Sequence, residues 1–209
     1  NEEVTGDVYN RIICIMRGWA YVDHGNFSEE QRETFRTIGP ELAKRITVVD
    51  DNFSGAPGQT TTVEGVEAVL ESLITKKAKY DVILFDYYQN VSKSNKHPSW
   101  NTWQCQEYLA KYLDGYKGRY LAPIVALAQL LENTDSSKSY KERIEGRKLI
   151  LNTATCALEV LADRPNQRTG FTIRKSRFSE GVGETIYVGF LKGKYVLYTP
   201  EFANQAELK

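Results

Sequence analysis

Charge of one sign is missing from this 209-residue chain: 27 lysines and arginines balance 27 aspartates and glutamates. A net charge of zero excludes nucleic-acid binding by bulk positive charge, as in histones, and leaves only a local basic groove open. Long apolar runs are absent too. None approaches the ~18 residues of a membrane span, and the first residues do not read as a signal-peptide core. Cysteine is scarce, with Cys14, Cys105 and Cys156 scattered and odd in number. Free thiols in a reducing, cytoplasmic setting are therefore expected rather than a disulfide framework. What is present, 41% hydrophobic and 11% aromatic residues, excludes general disorder. The opening Asn1-Glu2-Glu3-Val4 has no initiator Met and runs straight into a helical pattern, so it reads as a chain entered partway through a domain.

Apolar residues recur at helical spacing over 5–20 (Val8, Ile12, Ile15, Met16, Trp19), and Asn26-Phe27-Ser28-Glu29-Glu30 signals the start of a helix reaching about Lys44. The β-branched run 46–50 predicts a short strand. A Gly/Pro/Ser-rich loop at 52–59 leads to a helix from Thr60-Thr61-Thr62 to about Lys77. The continuous apolar runs 82–85 and 124–128 predict parallel strands buried on both faces, closed by Asp86 and Gln129. Between them a polar stretch, 89–100, precedes a helix over 101–118. After a polar loop at 132–141 come a helix near 142–152 and a strand at 155–161. Segments 169–175, 184–191 and 194–198 alternate as antiparallel strands, with Gly181, Gly183 and Gly193 at the turns. The order reads as one α/β domain with antiparallel edge strands.

Ligands of open parallel sheets bind beyond the carboxyl ends of the strands. Asp86 and Gln129 stand at two such ends. An apolar strand closed by Asp is the Walker B pattern, whose carboxylate accepts from a Mg²⁺-bound water beside a nucleotide. Taken singly, either residue equally begins a turn or caps a strand. Together, Phe85-Asp86-Tyr87-Tyr88-Gln89 and Val125-Ala126-Leu127-Ala128-Gln129-Leu130 resemble the strings "IDYLQ" and "VIALSQL" of the RecA-like motor domain of DnaB-type replicative helicases, phage primase–helicases included. The C-terminal Lys175-Ser176-Arg177-Phe178 resembles the family's "K-x-R-F/N". Glu2, with Arg11 nine positions later, resembles the Glu of the family's "S-L-E-M" strand end and the Arg nine positions after it. The likeness covers 1–200 and leaves 201–209 as a tail; between 17 and 80 only the order of elements agrees.

The resemblance implies an α/β, RecA-like P-loop NTPase core with a mostly parallel sheet and C-terminal antiparallel hairpins. It implies ATP and Mg²⁺ as cofactors and single-stranded DNA as partner. It also implies a hexameric ring, with primase and a helicase loader as further partners, in a bacterial or phage-infected cell. Residue by residue, Asp86 serves the metal, Glu2 (or Glu3) activates the attacking water, and Gln129 senses the γ-phosphate. Arg177 is the arginine finger and Lys175 its partner, both offered to a neighbouring subunit. Phe190 either stacks on the base or packs the hairpin, and Arg164 covers the base's other face. The two loops facing the ring channel correspond to 92–97, with Lys93 and Lys96, and to 138–143, with Lys138, Lys141 and Arg143. Both read as flexible, polar and basic, suited to phosphates. Trp100 and Trp103 beside the first loop either stack bases or pack the following helix.

Two departures qualify the likeness. No G-x-x-x-x-G-K-[ST] string occurs in the 209 residues, so the phosphate cradle is expected upstream of Glu2 and the isolated chain is expected to be inactive. The family's acidic residue after the second loop is also replaced, since Arg143-Ile144-Glu145-Gly146 is followed by Asn152-Thr153. Two other readings stay open: a RecA-like recombinase or assembly ATPase, and a non-catalytic RecA-like binding module. Filaments on DNA without strand separation favour the first, and true absence of the phosphate loop favours the second.

Overall fold

Capping decides where the helices begin. The structure, a computed structural model, describes residues 5–19, 26–49, 61–77, 79–129, 149–163, 165–166, 168–178, 180–191 and 194–197. Helix α1 covers Thr5–Arg17. Helix α2, Glu29–Arg45, starts at a reciprocal box: the Ser28 hydroxyl accepts from the Gln31 amide, and the Gln31 side chain accepts from the Ser28 amide. Thr62 accepts from the Gly65 amide to open α3, Val63–Thr75. Asn101 and Gln104 repeat the reciprocal box for α4, Thr102–Tyr116. Each such cap contributes about 1 kcal/mol. Helix α5 is the short Leu149–Thr153.

The chain divides into two compact units. In the unit of residues 50–154, strands β1, Ile83–Phe85, and β2, Ile124–Ala126, pair in parallel with Ile83 opposite Ile124 and Phe85 opposite Ala126. Helices α3 and α4 cover one face of this pair. Their buried Val66, Leu70, Leu109 and Leu113 form the core against which Ile83, Phe85 and Ile124 pack. On the opposite face Leu84 is 71% exposed and Val125 44%. The expectation of strands buried on both faces is thereby corrected. Successive strand side chains point to opposite faces, and among the described residues one helical layer covers one of them.

A polar seam fastens α3 to α4. Glu67 accepts from the Tyr108 hydroxyl at 2.8 Å, and Glu71 accepts from Tyr112 at 2.5 Å. Arg119 spans both oxygens of Glu71 at 2.6 Å each. Those donors, Arg119 first and Tyr112 next, hold the Glu71 carboxyl below the usual range. The Tyr116 hydroxyl reaches the Leu70 carbonyl, and burial pushes its pKa up to about 12.

The second unit combines residues 2–49 with 155–209. Helix α1 packs on α2, with Ile13, Cys14, Phe27 and Leu42 buried. The Tyr9 hydroxyl donates to the Ile46 carbonyl at 2.6 Å. The strand expected at 46–50 is not formed by residues 46–49, which belong to no ladder among the described residues. β-branched residues favour extended backbone, yet a strand also needs a partner edge.

Strands β3, Cys156–Asp163, β4, Arg168–Ser176, β5, Thr185–Leu191, and β6, Lys194–Leu197, form an antiparallel sheet in chain order. Gly181 and Gly183 adopt φ of +92° and +100° in the β4–β5 turn, a region open to glycine at little cost. The described strands thus form two separate sheets, one parallel pair and one antiparallel meander.

Candidate functional site

The carboxyl ends of β1 and β2 are stitched together. The Leu127 amide donates to the Phe85 carbonyl at 2.9 Å, and the Tyr88 amide to the Leu127 carbonyl at 3.1 Å. Next along, Gln89 Nε2 donates to the Gln129 carbonyl at 3.1 Å. A cis peptide bond joins Asp86 to Tyr87; Tyr88 is buried and Asp86 is exposed. Gln106, buried on α4, donates to the Gln89 carbonyl at 3.2 Å and anchors the turn from below. The result is one ledge, at the strand ends, that carries an exposed carboxylate from Asp86 and the exposed Gln129. A single exposed carboxylate suits a Mg²⁺ held mainly by phosphates and waters. Among the described residues no cluster of three or more His, Cys, Asp or Glu forms an all-protein metal cage.

Gln89 and Gln106 carry no role in the sequence reading. Gln106 was detectable as a polar residue on the apolar face of α4, beside Cys105 and Leu109.

The loop after the ledge is held from α3. The Glu64 carboxylate accepts from Ser94 Oγ at 2.6 Å and from the amides of Asn95 and Lys96 at 2.9 and 3.1 Å. Burial acts to raise its pKa, but the Ser94 hydroxyl and these amides outweigh that and hold it down at about 2. Glu64 is therefore charged at neutral pH. A parallel bridge joins Thr62 to Lys93, with the Val63 amide donating to the Lys93 carbonyl at 3.0 Å. The expectation of a flexible 92–97 loop is corrected by this network. Lys93, Lys96 and His97 remain exposed. Trp100 stacks on His97 at 4.0 Å and 12°, and its indole packs against the α3–α4 core, so the structure favours packing over a bare stacking surface. Trp103, in the first turn of α4, is partly exposed.

In the other unit, the three basic residues near the end of β4 lie at or just past an irregularity in the β3–β4 register. Arg174 Nε donates at 2.7 Å to Glu159, which is only 5% exposed. Lys175, one residue on, lies opposite Ala157, and Arg177 is exposed just past the strand, its amide donating to the Thr155 carbonyl at 3.0 Å. Phe178 beside it is 88% exposed. Arg174 is thus a structural cation, which separates it from the proposed finger pair. Removing it takes a charged donor away from a buried carboxylate. Arg174→Ala is expected to cost about 1–3 kcal/mol, discounted because Arg174 keeps part of its surface in water. Urea denaturation checks this, and an unchanged midpoint would contradict it.

Phe190 lies in β5 opposite Tyr195, with its side chain outside the description. Glu2, Glu3, Arg164, Lys138, Lys141 and Arg143 lie outside the described residues. No helix among the described residues is long and apolar enough to cross a membrane.

No protein-family model matches the chain, and no curated protein matches it in sequence. Solved structures do match in shape. The ATPase domain of G40P superposes with a TM-score of 0.71 at 14% identity, over 95% of this chain and 72% of that one. A DnaB-like replicative helicase, described with its interactions with primase, superposes at 0.66 and 12% identity. The overlap there takes in 95% of this chain and 49% of the helicase, so the chain spans about half of that protein's length. The fold is α/β and RecA-like, the fold shared with the G40P ATPase domain and the DnaB-like replicative helicase.

Proposed function

We propose that residues 1–200 are a RecA-like motor domain, followed by the 201–209 tail, in an ATP-dependent replicative DNA helicase that translocates on single-stranded DNA as a hexameric ring. The ledge supports this reading most directly: Asp86 directly follows β1, Gln129 lies three residues past the parallel β2, and Gln89 bonds the Gln129 carbonyl. Primase and a helicase loader are the further partners this reading carries.

ATP–Mg²⁺, when bound, supplies the phosphoryl group and a cation that neutralises charge developing on it. Asp86, just past the strand end, is the residue that would hold the metal, accepting from a water it carries. Gln129, three residues past the neighbouring strand, would donate its side-chain amide to the terminal phosphate, and its carbonyl bond from Gln89 links that contact to the turn leading into the 92–97 loop. Glu2 accepts a proton from the attacking water. From a neighbouring subunit, Arg177 and Lys175 face the transferred group, while Phe190 and Arg164 flank the base. Lys93 and Lys96, with Lys138, Lys141 and Arg143, hold DNA phosphates.

Asp86→Asn keeps the shape of the ledge and removes the charge. In the protein carrying this chain it is expected to lower DNA-stimulated ATP hydrolysis at least about a hundredfold, the scale of a lost metal contact. Steady-state phosphate release measures it. Turnover near the parent rate would refute the metal role and with it the ATPase reading of the ledge.

A further inference from the structure

The network around Glu64 has an arrangement that helix capping alone does not require. Its carboxylate sits in a cradle of consecutive donors, the Asn95 and Lys96 amides plus the Ser94 hydroxyl. The same Ser94 oxygen accepts from the His97 amide at 3.0 Å, so the order extends one residue further. Consecutive backbone N–H groups of this kind form an anion-binding nest. Here the anion is the protein's own carboxylate. Those amides are therefore committed, and an incoming phosphate must be met by the side chains of Lys93 and Lys96. One face of the Trp100 ring is covered by His97, and Tyr108 approaches at 5.4 Å. The exposed ring of His97 is then the outer layer of an aromatic pile seated on the core.

We propose that Glu64 is a positioning residue: by locking the 93–97 backbone, it presents Lys93, Lys96 and the His97–Trp100 pile as a preformed platform for single-stranded DNA, two phosphates beside one stacked base. The proposal rests on the reading of 92–97 as a DNA contact. Preorganisation removes the ordering cost that a loose loop pays on binding. Stacking on a ring adds affinity without regard to base identity.

Glu64→Gln is nearly isosteric but offers one acceptor oxygen and one donor amide to a cradle made only of donors. Binding of a fluorescent oligothymidylate by the protein, followed by anisotropy across salt concentrations, is the main measurement. Amide hydrogen exchange at Asn95 and Lys96 reports loop order separately. The expected result is faster exchange at both amides and about tenfold weaker binding, with the salt slope kept because both lysines remain. Ser94→Ala, which removes the hydroxyl bridge and leaves the carboxylate, is expected to weaken binding in the same direction by about threefold.

Faster exchange with parental affinity in both variants would overturn the proposal and make Glu64 a staple of the fold only. In that case Lys96→Ala would still lower the salt slope by about one, leaving the DNA reading of the loop intact. If the Lys93→Ala/Lys96→Ala protein binds as the parent does, or the parent binds no oligothymidylate, the DNA reading fails and the proposal falls with it.

Discussion

Arg177→Ala is expected to abolish DNA-stimulated ATP hydrolysis while leaving the subunit folded. Arg177 is exposed just past β4, and its described backbone bond, amide to Thr155 carbonyl, survives truncation of the side chain. Its exposed position keeps the expected loss of stability small. Activity is another matter: an arginine that meets the transferred phosphoryl group contributes on the order of a thousandfold or more. Arg177→Lys is expected to rescue poorly, because a planar two-pronged cation is replaced by a point charge. The in-trans role has its own check. Mixing Asp86→Asn subunits with Arg177→Ala subunits creates some interfaces with an intact Asp86 on one side and an intact Arg177 on the other. Hydrolysis in the mixture above that of either variant alone is the expected outcome. Retained turnover in Arg177→Ala would refute the finger assignment.

Leu109→Ala carries the largest expected loss of stability. Leu109 is 0% exposed at the centre of the α3–α4 core, among Val66, Leu70, Cys105 and Leu113. Truncation forfeits the transfer energy of the removed carbons and leaves a cavity that the polar seam resists closing. A loss of about 2–5 kcal/mol is expected, read as a lower midpoint in chemical denaturation. A change below about 1 kcal/mol would show that the helices are not packed as described. Because Ile83, Phe85 and Ile124 rest on this core, the ledge bearing Asp86 and Gln129 depends on it as well.

Helix starts were legible because their determinants are local. Ser28, Thr62 and Asn101 each act on an amide three residues ahead. The antiparallel meander was legible from period-two alternation and from the glycines at 181 and 183. Asp86 and Gln129 stood out because each closes an apolar run, and parallel pairing brings the two runs side by side. The 46–50 run shows the limit of that logic, since propensity alone predicted a strand that residues 46–49 do not form.

The chain's own order of residues therefore determined the elements, the two polar strand ends and the absence of bulk charge. These are set by neighbours within a few positions. Tertiary structure decided the rest: which face of β1 is covered, which basic residue near the end of β4 pairs with Glu159, and that the 92–97 loop is held by Glu64, some thirty residues before it. A carboxylate's partner across such a distance is chosen by packing, because only the folded core brings the donors within hydrogen-bond reach.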